Sequence, residues 1–238
     1  LSALRNIVVL TGSGVSAESG VATFRDKDGV WAKYDYREVA TPEGFAANPE
    51  LVHSFYNDRC SGLSSVHPNA AHIALVDLER GLAARSGRLT LVTQNVDDLH
   101  ERAGSENILH MHGEIRKSIC AACGDVRDCD GDLSVDLACP ACGRSGQMRP
   151  YVVWFGEVPR FMDEAMDAIL AADLFVSIGT SGSVYPAAGF AGEARAAGLP
   201  AMELNLEPSE NAYVFTDSRY GPATEIVPQW VAEVLGVS

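Results

Sequence analysis

The sequence predicts an α/β protein, a parallel sheet covered by helices on both faces with a small zinc-binding part inserted in it. Three observations carry that prediction. Short apolar, β-branched runs recur along the chain, and each ends in glycine or polar residues. Helical patterns lie between them, the alternation that builds a parallel sheet. Two Cys-x-x-Cys pairs interrupt the alternation in a stretch with few large apolar residues, where metal must replace a core.

The first run, Asn6 to Thr11, reads as a buried strand. Gly12-Ser13-Gly14 follows, and Val15 to Gly20 is suited to open a helix. Strand, glycine turn and helix is the order of a phosphate-binding βα unit. Ala17 takes the place of the third glycine in G-x-G-x-x-G, so a plain tight turn accounts for these glycines equally well. Thr23-Phe24-Arg25 adds an aromatic and a cation at a loop placed to close over a ligand.

Residues 25–63 lie between this loop and the next sheet unit, with turn signals at Thr41-Pro42 and Asn48-Pro49. Tyr56 and Arg59 stand at i and i+3 and share a helix face. An amphipathic surface pair is the plain reading. Lining an apolar tunnel, the arginine fork and the phenol would hold a carboxylate.

A helical pattern from Pro68 to Arg85 leads to a second strand, Leu89 to Thr93. At its end, Gln94, Asn95 and Asp97 offer amides and a carboxylate to ribose hydroxyls, although Asp97 would also cap a following helix. His112, in His110-Met-His112-Gly113, is a natural proton acceptor near neutral pH; a structural hydrogen bond is its alternative role, and the expected one for His100. Cys120-x-x-Cys123 and Cys139-x-x-Cys142, 15 residues apart, read as a tetrahedral zinc site. Four thiolates leave the metal no open position, so its role is structural. Cys60 and Cys129 have no partner at a telling spacing.

Two further strands close the sheet. Leu174 to Ile178 ends at Gly179-Thr180-Ser181, and Ala201 to Asn205 ends at Leu206-Glu207, with helical patterns at Met162 to Ala172 and Ala187 to Ala197. Ligands of such sheets sit beyond the carboxyl ends of the strands, so the polar strand ends mark one shared cleft.

Composition narrows the function classes. The 238 residues are 47% hydrophobic and 21% charged, which argues against a disordered chain. No apolar run approaches the roughly 18 residues of a membrane span. The run Ile7 to Leu10 is too short for a signal-peptide core, and the cysteine pattern suits a reducing cytoplasm. A net charge of −14 without any Lys/Arg run counts against nucleic acid. It serves solubility, or draws basic partners such as lysine-rich segments. No assembly motif stands out, which leaves a monomer as the default expectation.

In combination these segments resemble the sirtuin family, the NAD-dependent protein-lysine deacylases, and among them the bacterial CobB-type members that also remove acidic acyl groups. The matching residues are Gly12 to Arg25, Thr93-Gln-Asn-Val-Asp97, His112-Gly113, the four paired cysteines, Val153-Trp-Phe-Gly156, Gly179 to Ser181 and Asn205 to Glu207. The order is the family's and spans nearly the whole chain. Tyr56-Asn-Asp-Arg59 matches the Tyr-x-x-Arg signature for acidic acyl groups, with Ala40 as the small residue of the acyl pocket. Ser13 departs from the family's usual alanine.

The resemblance implies a Rossmann-like large part (about 1–24, 64–114 and 149–238), a small helical part (25–63) and a zinc-binding part (115–148). It implies NAD as co-substrate, lying over Gly12, Ser13, Gly14, Ser16, Glu18, Thr23, Phe24, Arg25 and Trp31. Gly179, Thr180, Ser181, Asn205, Leu206, Glu207 and Ala223 would hold the adenosine half. Gln94, Asn95, Val96 and Asp97 would face the nicotinamide and its ribose, with Asn95 and Asp97 joining His112 in catalysis. Acylated-lysine proteins or peptides would enter between the parts and add a strand along Val153, Trp154, Phe155, Gly156 and Glu157. The implied reaction has the acyl oxygen displace nicotinamide and His112 act as base toward a ribose hydroxyl. Its products are free lysine, nicotinamide and O-acyl-ADP-ribose. ADP-ribosyl transfer from the same site and a non-enzymatic, NAD-sensing acyl-lysine reader are the alternatives.

Overall fold

The computed structural model describes residues 4–24, 29–129 and 131–237. Among the described residues nine strands form in chain order: β1 (Asn6–Thr11), β2 (Arg88–Thr93), β3 (Ile108–His110), β4 (Gly113–Cys120), β5 (Val126–Asp128), β6 (Met148–Val152), β7 (Leu174–Ile178), β8 (Ala201–Asn205) and β9 (Asp217–Tyr220). Six of them make one sheet in the order β3-β2-β1-β7-β8-β9, and every neighbouring pair is parallel. Counted along this sheet alone the order is 3-2-1-4-5-6, the doubly wound arrangement whose direction reverses between its first and fourth strands. That reversal lies between β1 and β7, where the glycine loop emerges.

Burial explains why the central strands read as unbroken apolar runs. Ile7 and Val9 point to one face and Val8 and Leu10 to the other, and each side has its own core. The first core packs Leu75, Leu78 and Leu82 of a helix at Ala70–Ala83 against Val227, Trp230 and Val234 of another at Ala223–Leu235. The second takes Ala165 and Ile169 from Met162–Leu170, and Phe190, Ala191 and Ala194 from Phe190–Ala196.

Apart from the 14-residue helix at Pro49–Gly62, the remaining helices are short. In chain order the helices among the described residues are α1 (Gly14–Ala17), α2 (Val30–Lys33), α3 (Tyr36–Val39), α4 (Pro42–Ala47), α5 (Pro49–Gly62), α6 (Ala70–Ala83), α7 (Leu99–Ala103), α8 (Met162–Leu170), α9 (Phe190–Ala196) and α10 (Ala223–Leu235). Caps set the boundaries: the side chains of Asp35, Thr41, Asn48 and Asn69 accept backbone N–H groups at the starts of α3, α4, α5 and α6. The helices between β1 and α6 bury a third core of Val39, Ala40, Val52, Phe55, Tyr56 and Trp154.

The helix expected over Val15 to Gly20 is a single turn, α1, and the chain leaves it through Gly20 at φ 93°. The pattern at Ala187 to Ala197 divides into a 3₁₀ turn, Ala187–Gly189, and α9. The cysteine-bearing segment folds with an antiparallel sheet, β5-β4-β6. No helix among the described residues is long and apolar enough to cross a membrane.

Candidate active site

The glycine loop owes its composition to close packing against the end of β7. Gly12 N–H donates to the Ile178 carbonyl at 3.0 Å and Gly14 N–H to the Gly179 carbonyl at 2.9 Å. A Cβ on Gly12 would stand 2.7 Å from the Gly179 oxygen, and one on Gly179 would stand 2.5 Å from the Val15 nitrogen. Side chains would therefore part the two loops at the switch point. This packing, absent from the expectation of a phosphate turn, is enough to require the glycines.

Behind the loop lies a buried polar net. Ser16 Oγ donates to Asp97 Oδ2 at 3.1 Å, and Asn95 Nδ2 donates to Ser16 Oγ at 3.2 Å. Leu99 N–H donates to Asp97 Oδ1 at 3.2 Å, so Asp97 also supports the start of α7. Burial pushes the Asp97 carboxyl above the usual carboxylate range, against the pull of these donors. Beneath Ser16 lie His72, its Nε2 at 3.4 Å, and His100, whose ring contacts His72 and whose Nε2 meets Thr11 Oγ1 at 3.0 Å. Sequence reasoning gave His72 no role, although its place three residues after Asn69 marks a reciprocal helix cap.

A cavity of about 190 Å³ opens in front of this net. Ser13, Phe24, Arg59, Asn95, Val96 and Asp97 are among its walls. Elements far apart in the chain thus bring nicotinamide-side and acyl-side candidates to one space. Arg59 lies 4.8 Å from the Phe24 ring centre and 5.5 Å from that of Phe55, and no described carboxylate forms an ion pair with it. Burial lowers its pKa from the ordinary arginine value.

Tyr56 does not reach this wall. Its hydroxyl accepts from Trp154 Nε1 at 3.0 Å, and burial raises the phenol well above its ordinary value, so it stays protonated. The Trp154 ring lies 4.1 Å from the Arg149 guanidinium, which pairs with Glu157 at 2.7 Å. Ala40 is buried, and its carbonyl accepts from Phe155 N–H at 3.0 Å. Val153 N–H donates to the His112 carbonyl and Trp154 N–H to Glu157. The 153–157 segment is a turn in this structure, and the N–H groups of Val153, Trp154 and Phe155 already have partners.

His112 reaches across from the β3–β4 turn, where its Nδ1 lies 3.1 Å from the Gln94 carbonyl. Gly113 makes that turn possible at φ 82°; a Cβ there would stand 2.0 Å from the Tyr151 carbonyl oxygen. Burial lowers the His112 pKa, and the Gln94 carbonyl opposes that only in part.

The adenosine-side candidates meet at the ends of β7 and β8. Asn205 Nδ2 donates to the Thr180 carbonyl at 2.9 Å, and Glu210 N–H to the Ser181 carbonyl at 3.0 Å. Ala223 opens α10 nearby, while Leu206 and Glu207 are exposed. Glu18 joins this side: its carboxylate accepts from Thr224 N–H and Oγ1 at the start of α10, next to Ala223. Trp31 packs among Phe24, Phe55 and Phe155. Arg25 lies outside the described residues.

At the Cys120 end of β4 the four paired cysteines converge, all Sγ atoms within 4.8 Å of one another. Cys120 and Cys142 Sγ are 3.8 Å apart, and Cys123 and Cys139 Sγ 3.7 Å. A zinc tetrahedron with Zn–S near 2.3 Å has edges of about 3.8 Å, so the thiolates fit that ion. Gly124 and Gly143, at φ 77° and 73°, let each knuckle turn back on its first cysteine.

Fold and site together define a dinucleotide-binding α/β protein with an inserted tetrathiolate zinc module. A model of the Sir2 family matches residues 12–186, and the chain belongs to that family. A Caulobacter vibrioides protein named NAD-dependent protein deacylase is 62% identical, with 98% of each chain covered. A solved Sir2 homologue–NAD complex superposes with a TM-score of 0.88 at 38% identity, covering 98% of this chain and 90% of the other. A Sir2 structure bound to acetylated peptide gives 0.83 at 28% identity, covering 99% and 95%.

Proposed function

We propose that this chain removes both acetyl and acidic acyl groups, such as succinyl and malonyl, from protein lysines, with His112 as general base and Arg59 as the acyl carboxylate's partner. As a Sir2-family member the chain is an NAD-dependent protein deacylase, an enzyme. The observation that carries the wider substrate range is the position of Arg59. Its guanidinium is largely desolvated against two aromatic faces, forms no ion pair with a described carboxylate, and walls the same cavity as Asn95 and Asp97. An acyl chain reaching that cavity would bring its carboxylate to the arginine in low dielectric, where a charged hydrogen bond is strong.

NAD would be held by the glycine loop, by Gly179 to Ser181 and Asn205 at the strand ends, and by the Ser16–Asn95–Asp97 net. When bound it supplies an anomeric carbon activated by a departing nicotinamide. Ser16 holds Asn95 and Asp97 together, so neither buried group needs to reorient on binding. His112 Nδ1 keeps its proton on the Gln94 carbonyl, which leaves the Nε2 lone pair to take a proton from a ribose hydroxyl.

The zinc module stands apart from these groups and acts by holding β4 and β6, which flank His112 and the 153–157 segment. The peptide main chain would be met along 153–157, at the carbonyls of Val153 and Phe155. No membrane or nucleic-acid partner is proposed, and the cytoplasm is the proposed site of action.

Intact-mass measurement of an acylated protein substrate incubated with NAD tests the reaction. Deacylation removes the acyl mass with one nicotinamide released per lysine. Gain of an ADP-ribosyl mass instead would replace this reading with the transferase.

A further inference from the structure

Only two carboxylates among the described residues are buried: Asp97, in the cavity wall, and Glu203, on β8, which is 1% exposed. A buried carboxylate is costly unless donors satisfy it. No described arginine, lysine or histidine pairs with Glu203. Its Oε1 accepts from the Ser209 backbone N–H at 3.3 Å, and its Oε2 from the Tyr220 hydroxyl at 3.0 Å. Ser209 belongs to the loop after β8, and Tyr220 ends β9.

From Ser209 the net continues upward. Ser209 Oγ donates to Asn211 Oδ1 at 2.9 Å, and Asn211 Nδ2 donates to the Ala188 carbonyl at 2.9 Å. Asn211 packs so tightly on Gly182 that a Cβ there would fall 2.0 Å from Oδ1. Glu210 N–H is held by the Ser181 carbonyl, and Gly221 N–H donates to the Asn205 carbonyl at 2.9 Å. Glu203 therefore anchors both chain segments that flank Asn205: the loop through Ser209 and the turn from Tyr220 toward Ala223.

We infer that Glu203 is a positioning residue for the adenosine half of NAD, touching no cofactor atom itself but holding the Asn205–Asn211 loop and the Tyr220–Ala223 turn in their binding arrangement. This rests on the NAD site proposed above. A carboxylate that served only sheet packing would, when lost, weaken folding and every kinetic parameter alike. A positioning role singles out NAD, because the acyl-lysine side of the cleft is built on other elements.

The test compares Glu203→Met and Glu203→Gln in the zinc-loaded full chain, reading the NAD Kd by calorimetry, both KM values, kcat and the melting temperature. Loss of both bonds in Glu203→Met should raise the NAD Kd and KM about tenfold, with the peptide KM and kcat within about twofold. Glu203→Gln should stay within about twofold of the native NAD Kd, since its Oε1 still serves Ser209 and the Tyr220 hydroxyl turns to accept from Nε2–H. An unchanged NAD Kd in Glu203→Met overturns the inference, as does a matching rise in the peptide KM. If Glu203→Met does not fold, Tyr220→Phe carries the test: it removes one bond and should raise the NAD Kd about threefold, and no rise overturns the inference. Failure of the native chain to bind NAD would overturn the cofactor site itself and Glu203's role with it.

Discussion

His112 Nδ1 and the Gln94 carbonyl oxygen stand 3.1 Å apart, and this contact sets the histidine's tautomer. A carbonyl only accepts, so the ring proton stays on Nδ1 and Nε2 is the basic atom. Burial favours the neutral ring and lowers its pKa. The base is thus ready at neutral pH and remains so below the usual histidine value of about 6.5. In a pH–rate profile, kcat/KM for deacylation should hold as pH falls through 6.5 and drop only at lower pH; a midpoint above 6.5 would contradict this assignment.

Replacing the base should separate chemistry from folding. His112→Ala is expected to cut turnover by on the order of 10²–10⁴, the range for losing a general base. Its side chain contributes to none of the buried cores, so the melting temperature should change little. Single-turnover rates near the native value would remove His112 from the mechanism.

Arg59→Met keeps much of the apolar stem against Phe24 and Phe55 while removing the cation. Losing one partner of a buried charged hydrogen bond costs about 2–5 kcal/mol, and only a substrate carboxylate would feel it. Desuccinylation should fall far more than deacetylation in parallel assays. Equal losses on both peptides would mean that Arg59 supports the fold alone.

Zinc removal should act through β4 and β6. Stripping the ion with a strong chelator leaves thiolates 3.7–3.8 Å apart with nothing between them, and Cys139→Ser takes away one of the four ligands. A lower melting temperature and reduced activity are expected, both recovered on adding zinc to the chelated native protein. Full activity with an unchanged melting temperature in metal-free protein would defeat the structural role.

His72 makes stability depend on pH. Burial lowers its pKa to about 4 in the folded chain, against about 6.5 unfolded. The unfolded chain therefore binds this proton first as pH falls. The stabilisation is complete above about pH 6.5 and is lost on approach to pH 4, by roughly 3 kcal/mol in all. His100, also buried and lowered, adds in the same direction. Urea unfolding across this window should show the loss, and His72→Gln should flatten part of the slope.

The strands legible in the sequence are those buried on both faces, because β1, β2, β7 and β8 are filled mostly by apolar side chains, with Thr90, Ser177 and Glu203 among the buried polar exceptions. β9 is not legible because Asp217-Ser-Arg-Tyr220 is an edge strand whose side chains meet solvent. β3 is three residues long, too short to set a period. α10 carries Pro228 inside it and reads as interrupted, yet Val227, Trp230 and Val234 pack it on α6. In the site, the zinc ligands were legible because spacing alone encodes the knuckles. Contacts between distant segments were not: that Trp154 holds the Tyr56 hydroxyl, or that Glu18 turns to Thr224, depends on tertiary packing that no local pattern records.

The central claim is NAD-dependent deacylation in which the pocket accepts an acidic acyl group. Matched acetyl-lysine and succinyl-lysine peptides, incubated with the zinc-loaded protein with and without NAD and followed by mass spectrometry, test it most directly. Loss of both acyl groups only when NAD is present is the predicted result. Retention of both acyl groups in the presence of NAD, by folded and zinc-loaded protein, would contradict it.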